Sequence, residues 1–415
     1  MLKIRKVVVG ISGGVDSAVT ALLLKQKGYD VQGVFMQNWD IADEKGSCST
    51  SKDYRDASIV CDKLKINLHP VNYVKEYWNE VFINLIKEYE VGCTPNPDIL
   101  CNKNIKFKYF YNYAKCILNA DAIATGHYAK TSFGPYLENY QMDKDVSMLL
   151  AADKKKDQTF FLCQIEQEAL RRTMFPLGNL HKSQVKNIAL ENGLEKYARK
   201  KESMGICFIG SRNFQNFIKE YIITKPGNFI NIDNGEIMGK HEGFHQWTVG
   251  QRSRLEGLPE AFFIARKNLE NNNIYVAQGT NHPILFTRFV FTGKVHWIRS
   301  IPKSIKNKEL LHCNFKFQHT KPWIPCTVFE TDFGLSIYLD VATRAITPGQ
   351  YAVLEKDGEC LGSARIINSG VSKYSLNLIE NLEFGDEVSN NYKINNKKHK
   401  INENFRENVK EQSKI

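Results

Sequence analysis

Between Val7 and Ser17 the chain reads Val-Val-Val-Gly-Ile-Ser-Gly-Gly-Val-Asp-Ser. The β-branched run reads as a strand, the glycine–serine stretch as a turn, and Val15 onward as a helix. Glycines at 10, 13 and 14 let successive backbone N–H groups face one concavity. The Ser12 and Ser17 hydroxyls add donors, and the positive end of the following helix dipole aims at the same place. Such a loop cradles phosphate. It lacks the lysine of a Walker loop and is not G-x-G-x-x-G, so neither P-loop chemistry nor dinucleotide binding fits. The bland alternative is an ordinary βα turn with no ligand.

Two cysteines stand in turn-flanked settings. Cys101 follows Gly92-Cys93-Thr94-Pro95-Asn96-Pro97-Asp98-Ile99-Leu100, where two prolines and a capping Asp98 start a new helix. In the first turn of that helix the dipole would lower the thiol pKa, which makes Cys101 a candidate nucleophile. Asp98 is a candidate acid/base, or serves the cap alone. Cys207 lies between Gly205 and Gly210, downstream of Arg199, Lys200 and Lys201. The ten cysteines include no C-x-x-C pair, which excludes a zinc ribbon, a thioredoxin-type motif and a cysteine-held iron–sulfur cluster. Most of the remaining cysteines read as reduced and buried.

These residues need elements to place them. Apolar Val15, Val19, Leu22 and Leu23 form one helix face, which stops at Gly28; Val31 to Met36 reads as a second strand. A helix over 53–64, a strand over 68–72, a helix over 76–90, a strand over 122–125 and a helix over 181–192 follow. Strands alternating with helices imply an α/β fold with a doubly wound parallel sheet. Its strands' carboxyl ends would align Gly10 to Ser17, Met36 to Asn38 and Ala124 to His127 on one rim. The stretch 131–152 reads as irregular. After Pro226-Gly227 short β-like runs alternate with turns. The expected organisation is an α/β domain over 1–212, a central β-rich connecting domain over 213–284, a C-terminal β-barrel over 285–385 and a disordered tail over 386–415.

Of the 415 residues, 42% are apolar and 24% charged, an ordinary composition able to bury real cores. Basic residues outnumber acidic ones 56 to 45, which suits a polyanionic partner or a basic compartment. No apolar run is long enough to span a membrane, and the residues before the first strand are too few for a full signal or transit peptide.

Ser-Gly-Gly-Val-Asp-Ser resembles the pyrophosphate loop of the ATP-pyrophosphatases. Met36-Gln37-Asn38-Trp39, Thr94 to Lys103, Ala124 to Tyr128, Lys156-Asp157-Gln158, Gly205 to Gly210, Thr248 to Arg252 and Pro348-Gly349-Gln350 extend the resemblance over roughly residues 4 to 370. Together they are similar to the tRNA-specific 2-thiouridylases, and their details look more like the mitochondrial branch than the bacterial one. The resemblance implies that Gly10, Ile11, Ser12, Gly13, Gly14, Val15, Asp16 and Ser17, with Met36 and Gly126, hold ATP, and that Asp16 helps position Mg²⁺. It sets Asn96, Pro97 and Asp98 against the target uracil. It sets His127, Lys156, Asp157, Gln158, Lys316, Phe317 and Gln350 against tRNA; Lys316 stands where Arg is expected and offers a point charge instead of a bidentate fork.

The implied chemistry is adenylation of the uridine C2 oxygen at wobble position 34, then sulfur transfer from a persulfide on Cys207. Cys101 then resolves the bond, leaving a transient Cys101–Cys207 disulfide. Implied partners are tRNAs of the Lys, Glu and Gln types and a sulfur-donor protein, with no membrane, for a monomer in mitochondria or, alternatively, in bacterial cytoplasm. Another ATP-pyrophosphatase, such as an amide ligase or amidotransferase, and a non-catalytic RNA-binding protein are the competing readings.

The tail over 386–415 carries seven basic and five acidic residues, so most of the net +11 belongs to the folded body. RNA affinity should therefore fall steeply, by about 10²-fold or more, between about 50 and 200 mM salt in a filter-binding titration.

Overall fold

The computed structural model describes residues 4–39, 49–200 and 214–376. Cys207, Lys201 and the tail over 386–415 lie outside the described residues. The strand β1 (Lys6–Gly10) is the spine of a five-stranded parallel sheet. Its Val7, Val8 and Val9 are all fully covered, as a strand with helices on both faces requires. The sheet runs β3-β2-β1-β4-β7, with β2 Asp30–Gln37, β3 Leu68–Asn72, β4 Ala122–Ala124 and β7 Thr173–Met174. The chain winds outward from β1 through β2 to β3, then returns to add β4 on the other side of β1. Connections after β1 and β4 therefore leave in opposite directions, opening a crevice at the carboxyl ends of these two strands.

Helix α1 (Val15–Gln26) buries most of its circumference: Val15, Ser17 through Leu22, and Leu24. Leu24 takes the covered place expected of Leu23, which is half-buried. The helical run 74–90 begins two residues before the expected start and widens into a π-type segment at Trp78–Phe82, where Trp78 stacks on Trp39 at 5.6 Å. A second helical run, 97–116, carries Cys101 and widens in the same way over Cys101–Phe110.

Two β units follow. The first is a four-stranded sheet, β10-β11-β8-β9, of β8 Gly227–Asn231, β9 Ile237–His241, β10 Phe262–Asn268 and β11 Asn273–Gln278. Its small core holds Phe229, Phe262, Ile264, Ile274 and Val276. The second consists of β12 Phe286–Trp297, β13 Leu311–Lys316, β14 Ile324–Glu330, β15 Leu335–Arg344, β16 Tyr351–Lys356 and β17 Glu359–Asn368. These pair antiparallel in the order β12-β15-β14-β13-β16-β17, and β17 returns to β12, so the barrel closes.

The stretch 131–152 is not wholly irregular. It contains β6 (Met148–Leu149), which pairs with β5 (Lys130–Thr131) on one side and with β17 of the barrel on the other. Beside this joint Gln164 donates from Nε2 to Ser363 O (3.2 Å) and Ser363 Oγ (2.8 Å), both buried. The barrel is hydrogen-bonded into the α/β unit, not hung from it by a linker.

Phe315 is fully covered at the centre of the barrel core, stacked on Phe317 at 5.9 Å. Phe315→Ala should cost about 3–5 kcal/mol of barrel stability, read as a lower urea midpoint for its unfolding.

Candidate active site

The loop after β1 is shaped from both sides. Gly13 has φ +72°, and a Cβ there would meet Asp53 O at 2.6 Å. Gly126, on the connection leaving β4, lies so close that a Cβ would sit 2.8 Å from Asp16 C and Ser17 N. Met36, near the end of β2, reaches Gly10: its Cε is 3.2 Å from where a Cβ would be. The rim expected from three loops is thus assembled by close backbone approach at Gly126 and by the Met36 side chain at Gly10. Ser17 differs from its expected part. Its hydroxyl accepts from Ser12 N (3.1 Å) and donates to Gly14 O (3.1 Å), so it holds the loop's shape.

Asp16 stands at the crevice, and its carboxylate is already engaged. Lys182 Nζ donates to both oxygens at 2.8 Å, and Tyr128 OH donates to Oδ1 at 2.8 Å. Gln158 in turn holds Tyr128 from both sides of the peptide, its Oε1 accepting from Tyr128 N (3.0 Å) and its own N–H donating to Tyr128 O (2.8 Å). Sequence reasoning assigned no role to Lys182. A signal existed: Lys182 opens the helix Lys182–Glu191, where its charge opposes the dipole, so local energetics alone disfavour it there.

Under the loop lies a second charged group. Lys200 Nζ donates to Asp53 Oδ1 (3.0 Å), Asp56 Oδ2 (2.7 Å) and Gly13 O (3.2 Å), and Lys196 Nζ to Asp56 Oδ1 (2.6 Å). Burial pushes the Asp56 carboxyl up, but the two ammonium groups outweigh it and hold it below the usual range. Lys200 thus braces the floor of the phosphate loop.

The Cys101 run begins differently from the expectation. Its N-cap is Asn96, whose side chain accepts from Ile99 N (3.4 Å), with Pro97 at the first helical position. Asp98 is not the cap. Its side chain is solvent-accessible but sits in a crowded concavity; that desolvation raises its carboxyl pKa, with Lys106 pulling the other way. Cys101 lies beyond the first turn, only 6% exposed, where the pull of the helix dipole has largely decayed. Lys106 also approaches His127 Nε2 (3.4 Å), while His127 Nδ1 meets Thr125 Oγ1 (2.8 Å). Burial first, then Lys106, drives the His127 pKa well below its ordinary value, so the ring is neutral near pH 7. Phe110, in the same helical run, packs 3.6 Å from the place a Gly10 Cβ would occupy. The cysteine-bearing run therefore rests directly on the phosphate loop.

Several residues expected against RNA turn inward. Asp157 is buried and accepts from Ala151 N (2.6 Å), Thr159 N (3.3 Å) and Thr159 Oγ1 (2.6 Å), fixing the turn that leads to Gln158. Burial raises its carboxyl pKa even so. Phe317 is in the barrel core, and Lys316 is buried with its ammonium 4.6 Å from the Trp323 ring centroid. Gln350 donates from Nε2 to Thr94 O (2.9 Å) and Pro95 O (3.2 Å), and its Oε1 accepts from Asn96 Nδ2 (3.3 Å). His127 is likewise covered. In the unliganded chain these side chains are engaged within the protein, while the neighbouring Lys154 and Lys155 are exposed.

A phosphate cradle at the switch point of a parallel sheet, followed by two β units, defines a HUP-type nucleotide-handling protein. Family models match accordingly: a tRNA methyl transferase HUP domain over residues 5–211, a tRNA methyl transferase PRC-barrel domain over 215–278 and an aminomethyltransferase beta-barrel domain over 288–366. Among curated relatives, the Drosophila melanogaster mitochondrial tRNA-specific 2-thiouridylase 1 is 51% identical over 89% of this chain and 96% of its own length. The Homo sapiens protein of the same name is 46% identical over 91% and 93%. The tRNA-specific 2-thiouridylase MnmA of Alkaliphilus oremlandii is 45% identical over 87% and 96%. The chain belongs to the tRNA-specific 2-thiouridylase family.

Gly126→Ala must displace backbone atoms of residues 16 and 17. It should weaken nucleotide binding about tenfold or more, about 1.4 kcal/mol, in a calorimetric titration with a non-hydrolysable ATP analogue.

Proposed function

We propose that this protein uses ATP to adenylate the C2 oxygen of uridine 34 in tRNA and then replaces that oxygen with sulfur. The observation that carries the reading is the packing of the Cys101 helical run onto Gly10 of the phosphate loop. It sets a thiol-bearing element beside the site where pyrophosphate would leave. A uridine C2 oxygen is a poor leaving group, and adenylation converts it to AMP. The uracil oxygen attacks the α-phosphorus and pyrophosphate departs into the backbone donors of residues 10–17. Lys182 supplies positive charge at the developing phosphate charge.

The terminal sulfur of a persulfide on Cys207 then attacks C2 and AMP leaves, giving a Cys207–S–S–C2 link. The Cys101 thiolate attacks the Cys207 sulfur, the thiouridine sulfur leaves, and a Cys101–Cys207 disulfide remains for a dithiol reductant to reopen. Asp98, accessible and with its carboxyl pKa raised by desolvation, would exchange the proton at the base. Among the described residues no group of three His, Cys, Asp or Glu side chains is poised to hold a metal. Asp16 is the residue that would hold Mg²⁺, together with phosphate oxygens, the usual mode of this ion beside nucleotides.

The animal relatives are named as mitochondrial tRNA-specific 2-thiouridylases, which supports a mitochondrial tRNA substrate; tRNAs of the Lys, Glu and Gln types, a sulfur-relay protein as donor and a monomeric chain complete the reading by family resemblance alone. Among the described residues no helix is long and apolar enough to cross a membrane.

Products decide between this and other nucleotide chemistry. With tRNA present, ATP should give AMP and pyrophosphate in equal amounts; ADP and phosphate would refute adenylation. In the same assay Cys207→Ser should accept no labelled sulfur. Cys101→Ser should load Cys207 yet release less than about 1% of the wild-type thiouridine, a loss of the size seen when a nucleophile is removed.

A further inference from the structure

The helical run that bears Cys101 sets one more charge at the crevice. Over Cys101–Phe110 it is wound as a π-type helix, in which backbone bonds reach five residues instead of four. Two contacts fix how this stretch faces the site. Phe110 lies against Gly10 of the phosphate loop, and Lys106, one turn earlier, brings its Nζ to His127 Nε2 at 3.4 Å. His127 is held in turn by Thr125 Oγ1 at Nδ1 (2.8 Å) and by the Phe107 ring, 5.9 Å away between centroids. It directly follows Gly126, the residue wedged against the backbone of Asp16 and Ser17. Lys106 thus stands beside the rim of the phosphate cradle.

The same ammonium acts in the other direction on Asp98. Its field opposes the desolvation that raises the Asp98 carboxyl pKa, and after burial it is the second cause of the lowered His127 pKa. Lys106 therefore lies between the carboxyl expected at the uracil and the residue that borders the phosphate loop, where a base and an α-phosphate would meet. A lysine carries three N–H donors, and the neutral His127 ring engages one of them. Among the described residues no carboxylate is ion-paired with Lys106, whereas Lys182, Lys196 and Lys200 each have such a partner. A half-buried cation so placed has lost part of its hydration, a cost that an anionic ligand offsets.

We propose that Lys106 is a further catalytic residue of the adenylation step, its ammonium holding non-bridging oxygens of the α-phosphate and adding a second positive charge to that of Lys182. The proposal rests on the functional reading above, and one arm of its test does not. As the uracil C2 oxygen attacks, the O2–Pα bond forms and the bond from Pα to the bridging oxygen breaks, its electron pair leaving with pyrophosphate. The uracil N3 proton passes to Asp98. Negative charge grows on the α-phosphate oxygens in that transition state, and an ammonium already in place stabilises it without reorganisation. When sulfur later displaces AMP, charge grows on the same phosphate again.

The experiment uses the full chain and needs no sulfur source. With tRNA transcript and ATP labelled at the α-phosphorus, transfer of label to tRNA is followed in a single turnover, and tRNA Kd is measured by filter binding. Lys106→Met and Lys106→Gln should slow transfer about a hundredfold or more, the size of effect seen when one preset donor to a transition-state oxyanion is removed. Lys106→Arg, which keeps the charge, should stay within about tenfold of wild type, and ethylammonium should restore part of the rate to Lys106→Ala. The tRNA Kd should stay within about twofold of wild type throughout, at an unchanged thermal midpoint. In parallel, without tRNA, AMP and adenosine are titrated by calorimetry. AMP affinity should fall about tenfold in the Met and Gln variants while adenosine affinity holds, because only AMP carries the phosphate. Wild-type transfer rates in Lys106→Met would overturn the proposal, as would equal losses for AMP and adenosine. Raised tRNA Kd with unchanged transfer at saturating tRNA would overturn it too, since that pattern marks an RNA contact. If the wild-type protein moves no label to tRNA, the functional reading fails, and the AMP arm still decides whether Lys106 is a phosphate ligand.

Discussion

The carboxylate of Asp16, shared between the Lys182 ammonium and the Tyr128 hydroxyl, is the interaction on which the crevice depends. An acidic group beside a phosphate cradle repels the anion that the cradle attracts, so it needs a resident counter-charge. Lys182 supplies that charge from a helix on the far side of the opening. Its own backbone N–H is fixed by Asp153 Oδ2 at 3.0 Å. Tyr128 is fixed by Gln158, Gln158 by the turn that Asp157 builds, and that turn by Ala151 next to β6. A short series of hydrogen bonds thus runs from the phosphate loop to the joint with the barrel. Low local dielectric makes such a series strong when complete and costly when broken.

The same economy governs the basic residues. Net charge suggests a surface coated for a polyanion, yet Lys182, Lys196, Lys200, Lys267 and Lys316 all point their charge at partners inside the protein. Burial pushes the Lys267 ammonium down to about 8 and lowers that of Lys316. These five lysines are therefore less available to an external polyanion than composition implies.

How far the chain could be read in advance follows from the range of the interactions concerned. The β1 strand, its turn and α1 form one continuous segment whose periodicity and glycines declare the structure locally, and β3 is found at the expected residues. The Asn96 cap was misassigned to Asp98 because both residue types favour that position; Pro97, which prefers the first helical place, was the deciding signal. The partners of Gln350 are more than 250 residues away in sequence, and nothing near Pro348 hints at them. The two-residue strands β5 and β6 are too short to show alternation, and only their pairing with each other and of β6 with β17 makes them strands at all. The resemblance sets Asp157, Lys316 and Phe317 against tRNA, and the fold buries all three side chains in the unliganded chain, a tertiary burial that no local pattern reports.

The pairing of β6 with β17 has a consequence for biosynthesis. Met148 and Leu149 leave the ribosome some 210 residues before Glu359 and Cys360, which complete their ladder. Until then the α/β unit presents an unsatisfied strand edge, the kind of template on which nascent chains aggregate. A chain that stopped short of β17 would keep that edge open permanently. Premature termination late in the message would therefore remove more than the barrel: it would leave the nucleotide-handling half exposed to quality-control proteases, with loss of the whole protein as the outcome.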